Sequence, residues 1–248
     1  MIILKSKDEI ATMRRAGQIV ARAHELVANM IRPGITTAQI DCAVEEFLVK
    51  NGAIPAFKGY QGYPATVCAS VDEVVVHGIP NDEVLKEGSI IGVDIGAFVD
   101  GFCGDSAWTY PVGFVTDEVK KLLEVTEKAL FAGIEQAIIG NRLSDISNAI
   151  QTIVEENGFS VVRDFVGHGI GRKMHEDPQV PNFGPPGRGP RLKAGMTLAL
   201  EPMVNMGSHH VQVCEDNWTV VTRDKSFSAH FEHTVAITDD GPMILTVL

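Results

Sequence analysis

The run Ser89-Ile-Ile-Gly-Val-Asp94-Ile-Gly-Ala-Phe-Val-Asp100-Gly101-Phe-Cys-Gly-Asp105-Ser-Ala-Trp-Thr-Tyr110 decides how this chain is read. Two apolar stretches flank Asp100-Gly101, a dipeptide that favours the two-residue turn of a β-hairpin. With those two residues as the loop, Val99 faces Phe102 and Asp94 faces Ala107. Side chains alternate faces along a strand, so Asp105 shares a face with Asp94. The two acids are then diagonal neighbours, about 7–8 Å apart at the backbone. A slip of one residue in either strand would separate them.

Glu201 likewise interrupts Met196-Thr-Leu-Ala-Leu-Glu201-Pro-Met203, and His168 and Glu232 lie in similar short segments that read as strand or strand edge. An ionised carboxylate in an apolar strand is costly to desolvate unless it is paired or binds a cation. The acids are many and the arginines beside them few. A bound metal is the economical explanation.

Outward from these segments, long helical patterns alternate with strand hairpins. Ser6-Lys-Asp-Glu9 reads as a capping box that opens an amphipathic helix through about Met30, stopped by Pro33-Gly34. A second helix follows Thr36 and ends at Asn51-Gly52. The plan recurs downstream, with a helix from about Thr116 to Ile139, Gly140, and a helix ending at Asn157-Gly158. At one fixed offset Gly34 meets Gly140, Ile40 meets Ile146, and Ala43 meets Ala149. Lys86-x-Gly88 precedes Asp94 much as Lys193-x-Gly195 precedes Glu201. The sequence therefore predicts a single domain over 1–248 with an internal repeat, roughly 1–112 and 113–248. Its expected class is α+β, antiparallel sheet covered by helices, with the acids gathered near a pseudo-twofold axis. Asp177–Arg191, dense in Pro and Gly, reads as one long irregular stretch on the rim of the site.

The chain has 248 residues, 45% hydrophobic, and a net charge of −11, which argues against a general nucleic-acid binder. Cys42, Cys68, Cys103 and Cys214 form no C-x-x-C pair, which suits reduced thiols in a cytosol. No run approaches transmembrane length and the first residues do not read as a signal peptide, so a soluble, cytoplasmic protein is expected.

Several segments, in order, resemble the type I methionine aminopeptidases, whose fold is nicknamed pita-bread. They are Gly59-Tyr-Gln-Gly-Tyr-Pro64, Val76-His-Gly-Ile-Pro80, Val93-Asp-Ile-Gly96 with Gly104-Asp105, Gly167-His-Gly-Ile-Gly171, His175-Glu-x-Pro178, Glu201-Pro-Met-Val204 and Phe231-Glu-His-Thr234. The resemblance implies that Asp94, Asp105, His168, Glu201 and Glu232 hold two divalent metal ions. Asp105 and Glu232 would bridge the ions, with Asp94 on one and His168 and Glu201 on the other. Hard oxygens with one imidazole suit cobalt, manganese, iron or zinc without choosing among them. By the same resemblance His77 and His175 hydrogen-bond the scissile amide and the developing oxyanion, and Glu201 passes the proton of the nucleophile to the leaving amine.

Tyr60, Tyr63, Cys68, His77, Met174, His175 and Trp218 match the residues that bind substrate. Met174 stands where an aromatic is frequent and Phe57 where a smaller residue can occur, which leaves fine specificity open. The resemblance further implies removal of initiator methionine from nascent polypeptide N-termini with a small second residue, met near the ribosome. It also implies a monomer, and one monovalent cation on carbonyls near Asp72, Val74 and Ser228. Two other readings stay open: a Pro-specific peptidase on the same fold, and a binding scaffold without catalysis. The first typically carries an additional N-terminal domain, whereas this chain begins almost directly with its first helix. The second usually loses ligands. His24, His209, His210 and His230 have no motif around them and are expected at the surface or in loops, and His233 as a structural hydrogen-bond partner.

Overall fold

Asp100 at φ +48° and Gly101 at φ +77° make the expected turn, the combination of positive angles that matches strand twist in a two-residue loop. The computed structural model describes all 248 residues, Met1–Leu248. In it the strands Ile90–Val99 and Phe102–Pro111 pair antiparallel with Val99 opposite Phe102 and Asp94 opposite Ala107. The register is the one read from the turn. Asp105 lies opposite Gly96, which puts it diagonal to Asp94 on one face.

Four helices cover the strands. Helix α1 (Lys7–Met30) opens on a capping box: the Ser6 hydroxyl accepts from the Glu9 amide, and the Glu9 carboxylate accepts from the Ser6 amide. Helix α2 (Thr37–Lys50) repeats the device with Thr36 and Gln39. Helix α3 (Asp117–Glu135) stops short of Ile139, where the periodicity placed its end. The Asn141 amide donates to the Gln136 carbonyl at 3.1 Å, satisfying a helix-end acceptor so that no further turn is needed. Helix α4 spans Leu143–Glu156.

The helices of each pair share a core with different strands. Val20, Val27, Ile40, Val44 and Leu48 from α1 and α2 pack with Ile91, Val93 and Ile95. Leu122, Leu130, Ile146 and Ile150 from α3 and α4 pack with Leu198, Leu200, Val235 and Ile237. Each such side chain contributes about 1.5–3 kcal/mol on burial. Helix α1 also presses backbone to backbone on the hairpin, because a Cβ on Gly104 would overlap the main chain of Gly17.

A second sheet runs in the order Gly241–Ile244, His233–Thr238, Thr197–Leu200, Gly167–Gly169, Glu176–Val180. Every strand pair in the molecule is antiparallel, and the class is α+β. The stretch Asp177–Arg191 is less irregular than its Pro and Gly suggest. Its first residues belong to the strand Glu176–Val180, paired with Gly167–Gly169 across a bulge.

The hairpin and this second sheet are stitched together beside the acids. The Asp105 amide donates to the Thr234 hydroxyl at 3.0 Å, the Ser106 hydroxyl to the Glu232 carbonyl at 2.7 Å, and the Glu232 amide to the Ala107 carbonyl at 2.8 Å. Residues far apart in sequence are thereby held in one place.

Candidate metal centre and its cavity

The stitched strands leave a cavity of about 260 Å³ between them. All five expected ligands and all seven expected substrate contacts line it. Asp105, His168 and Glu232 each offer a ligand atom within 4.8 Å of the others, and all three are buried. Asp94 adjoins Asp105 on the hairpin face. Glu201 reaches the cluster from the end of Thr197–Leu200, its Oε1 lying 3.6 Å from His168 Nε2.

The electrostatics of this floor are one-sided. Oxygens of Asp94, Asp105 and Glu232 are buried without any hydrogen-bond partner, and Glu201 pairs with imidazoles only. Burial, then the charges of Asp105 and Glu201, push the Asp94 carboxyl well above the usual range. Burial raises Asp105 to about 7. Glu201 and Glu232 are raised by burial first and by Asp105 second. Buried carboxylates with spare lone pairs and no cationic side chain are the donor set that a divalent cation satisfies. Burial holds His168 down at about 4, which keeps the imidazole neutral and its lone pair available. These residues fit a metal centre.

The opposite wall is apolar. Trp218 meets the Tyr63 ring edge-on at 5.1 Å, and His77 meets Trp218 at 6.2 Å and Phe165 at 5.7 Å. The Tyr63 hydroxyl lies within reach of the Val67 and Gly78 carbonyls at 3.0 and 2.9 Å, so only its ring is free to face a ligand. Cys68 sits opposite Asp94 in the sheet, at the seam between acid floor and apolar wall. Phe57 reaches the wall because Gly96 carries no side chain; a Cβ there would overlap the Phe57 ring.

Two histidines join floor to wall. His175 packs on His168 with ring centres 4.3 Å apart, and its Nδ1 is 2.9 Å from the Tyr60 hydroxyl. His77 sits at φ +60°, a left-handed conformation that costs a non-glycine residue on the order of 1 kcal/mol. Such strain is tolerated where the surroundings fix the residue, and Gly78 beside it is jammed against the Ala69 carbonyl.

Two histidine expectations need correction. His230 is neither at the surface nor in a loose loop: it is 4% exposed, lines the cavity, and its Nε2 is 3.6 Å from Glu201 Oε2. His24 is half-buried on α1, its Nδ1 2.9 Å from the Tyr110 hydroxyl and its Nε2 2.9 Å from the Ser106 carbonyl. His209 and His210 are half-buried and exposed, close to expectation. His233 bonds the Thr246 hydroxyl through Nδ1 at 2.8 Å. Phe165 and Met203 also line the cavity and were missed. One signal was present for His230, which lies two residues before Glu232 and so shares its side in extended chain.

The sequence matches the model of metallopeptidase family M24 over residues 11–239. It is 58% identical to methionine aminopeptidase 1 of Bacillus subtilis over 246 residues, covering 99% of both chains. The structure superposes on that of a methionine aminopeptidase from Thermotoga maritima with a TM-score of 0.98, at 49% identity and with all of both chains covered. A prolidase from Pyrococcus furiosus has a TM-score of 0.78 at 24% identity over 66% of its chain, a likeness of fold alone. The pita-bread fold, the buried donor set and these relatives agree: the chain belongs to metallopeptidase family M24, among its methionine aminopeptidases.

Proposed function

We propose that this chain removes the N-terminal methionine from nascent peptides and proteins whose second residue is small, by attack of water on the scissile amide at two divalent metal ions. The observation that carries the proposal is the pairing, in one cavity, of partnerless buried carboxylates with an apolar wall of aromatic rings and sulfur. In this reading Asp94, Asp105, His168, Glu201 and Glu232 would hold the ions. When bound, cobalt, manganese, iron or zinc would lower the pKa of water and polarise the amide carbonyl.

The remaining work falls to side chains. Tyr60, donating its hydroxyl proton to His175 Nδ1, fixes the tautomer with hydrogen on Nε2, which can then donate to the developing oxyanion. His77, held neutral by burial at about 4, bonds the scissile amide. Glu201 accepts the proton of the attacking water on a carboxylate oxygen and delivers it to the leaving amine. Tyr63, Cys68, Met174 and Trp218 grip the methionine, whose thioether is favourable against aromatic rings and sulfur.

Purified protein supplied with manganese or cobalt is expected to cleave Met-Ala-Ser and to leave Met-Lys-Ser and Ala-Pro-Ser intact. Preference for Ala-Pro-Ser would overturn the proposal in favour of a Pro-specific peptidase.

The same reading treats 1–112 and 113–248 as related halves of one domain. It is supported by two helix pairs, each opened by a capped first helix and each packed on its own strands. It places the enzyme in the cytoplasm as a monomer near the ribosome, with no nucleic-acid substrate. No helix is long and apolar enough to cross a membrane, and the four cysteines are free. A monovalent cation on the Asp72, Val74 and Ser228 carbonyls belongs to it as well, supported by the Ser228 amide donating to the Asp72 carbonyl at 2.9 Å.

A further inference from the structure

His230 has no part in the roles above, yet it occupies the cavity. Its Nε2 is buried without a hydrogen-bond partner, in a side chain 5% exposed. The nearest charged atom is Glu201 Oε2 at 3.6 Å, while Oε1 of the same carboxylate faces His168 Nε2, also at 3.6 Å. Glu201 is thus bracketed, with one oxygen toward the donor cluster and the other toward an unused imidazole.

Both ends of this contact are fixed from the backbone. The His230 amide donates to the Thr109 hydroxyl at 2.9 Å, and that hydroxyl donates to the His230 carbonyl at 2.7 Å. His230 pairs with Met203, two residues beyond Glu201, and the Glu201 carbonyl accepts from the Asn182 amide at 3.0 Å. A movement of about half an ångström would bring Nε2 and Oε2 within hydrogen-bond length.

We propose that His230 is a positioning residue for Glu201: its Nε2–H donates to Oε2 and turns the carboxylate so that Oε1 is presented to the metal site. This rests on the functional reading above. A neutral imidazole suffices, since a hydrogen bond to a carboxylate is about twice as strong as one between neutral groups. Without the donor the carboxylate swings between rotamers, and the lone pair offered to an ion is no longer fixed. Partners that orient ligating groups in this way are typically worth about 10–100-fold in metal affinity or activity.

The test uses the full chain stripped of metal and titrated with manganese by calorimetry, alongside turnover of Met-Ala-Ser. His230→Leu keeps the bulk and removes the donor; His230→Gln restores an amide N–H near the Nε2 position. His230→Leu is expected to keep both manganese sites, to weaken the poorer one about 10-fold and to lower kcat by a similar factor with KM unchanged, and His230→Gln to recover both to within about 3-fold. His230→Leu with wild-type manganese affinity and kcat would overturn the proposal. So would a rise in KM alone, which marks a substrate contact, or the loss of one manganese from the stoichiometry, which marks a ligand. Should the two variants weaken manganese binding equally, the donor is irrelevant and the proposal fails. Failure of the underlying reading looks different: the wild-type chain itself would then bind no manganese and leave Met-Ala-Ser uncut.

Discussion

Two groups of buried acids, a short distance apart, are treated in opposite ways. Glu176 pairs with Lys5, both side chains nearly inaccessible at 6% and 3%, and Lys5 also donates to the Ile3 carbonyl at 3.1 Å. One residue earlier, His175 enters the cavity, where the buried Asp105 and Glu232 and the half-buried Asp94 and Glu201 gather with no lysine or arginine among them. The first charge is balanced inside the chain and needs nothing further. The second set is balanced only by something the chain does not contain. Burial alone therefore says little about function; the absence of a counter-charge is the informative part.

The sharpest way to break this comparison is to remove one acid from each group's logic and look for opposite consequences. Asp105→Asn should lower turnover of Met-Ala-Ser by more than about 10⁴-fold, because residues acting as one unit fail together. The same variant, stripped of metal, should be at least as stable to urea as wild type, since a carboxyl already raised to about 7 by burial contributes no favourable charge there. A metal-free Asp105→Asn protein markedly weaker than wild type would mean that the acids support the fold by themselves.

The second perturbation falls on the balanced pair. Lys5→Met leaves Glu176 buried without its cation and should cost about 3–5 kcal/mol in urea unfolding. Adding Glu176→Leu to Lys5→Met should restore most of that, because an apolar pair of similar volume can replace a buried ion pair. Equal destabilisation in single and double variants would show that Lys5 acts through its Ile3 contact instead.

A smaller effect comes from His24, a half-buried group kept neutral. Desolvation by burial lowers it from 6.5 to about 4. The unfolded chain takes up a proton near 6.5 and the folded one does not, so this group's contribution to stability is present at pH 7 and lost as pH falls through 6.5 toward 4. His24→Gln should reduce the loss of stability between pH 7 and pH 5 by about 1 kcal/mol. An unchanged acid slope in pH-dependent unfolding would mean that His24 is protonated at little cost.

What the residues alone conveyed follows the range of the interactions. The hairpin register was legible because Asp100-Gly101 is a local device that fixes every pair outward from itself. Helix starts were legible from Ser6 and Thr36 for the same reason. The end of α3 was not, since it depends on a side chain at Asn141 reaching back to Gln136. His230 escaped because its surroundings are assembled from Thr109, Met203 and Glu201, segments joined only by sheet pairing. The Lys5–Glu176 pair escaped for a like reason, its members lying 171 positions apart. Of the site, motif order named the four acids and the histidine that fold into one cavity as candidate ligands, and folding added the apolar wall at Phe165 and Met203.

The most direct test of the unbalanced floor is a manganese soak of crystals of the full chain, read by anomalous diffraction at the manganese edge. The account predicts two peaks inside the cavity, bounded by the carboxyls of Asp94, Asp105, Glu201 and Glu232 and by the His168 imidazole. A map with no peak among those groups, or with manganese bound only elsewhere on the molecule, would contradict it.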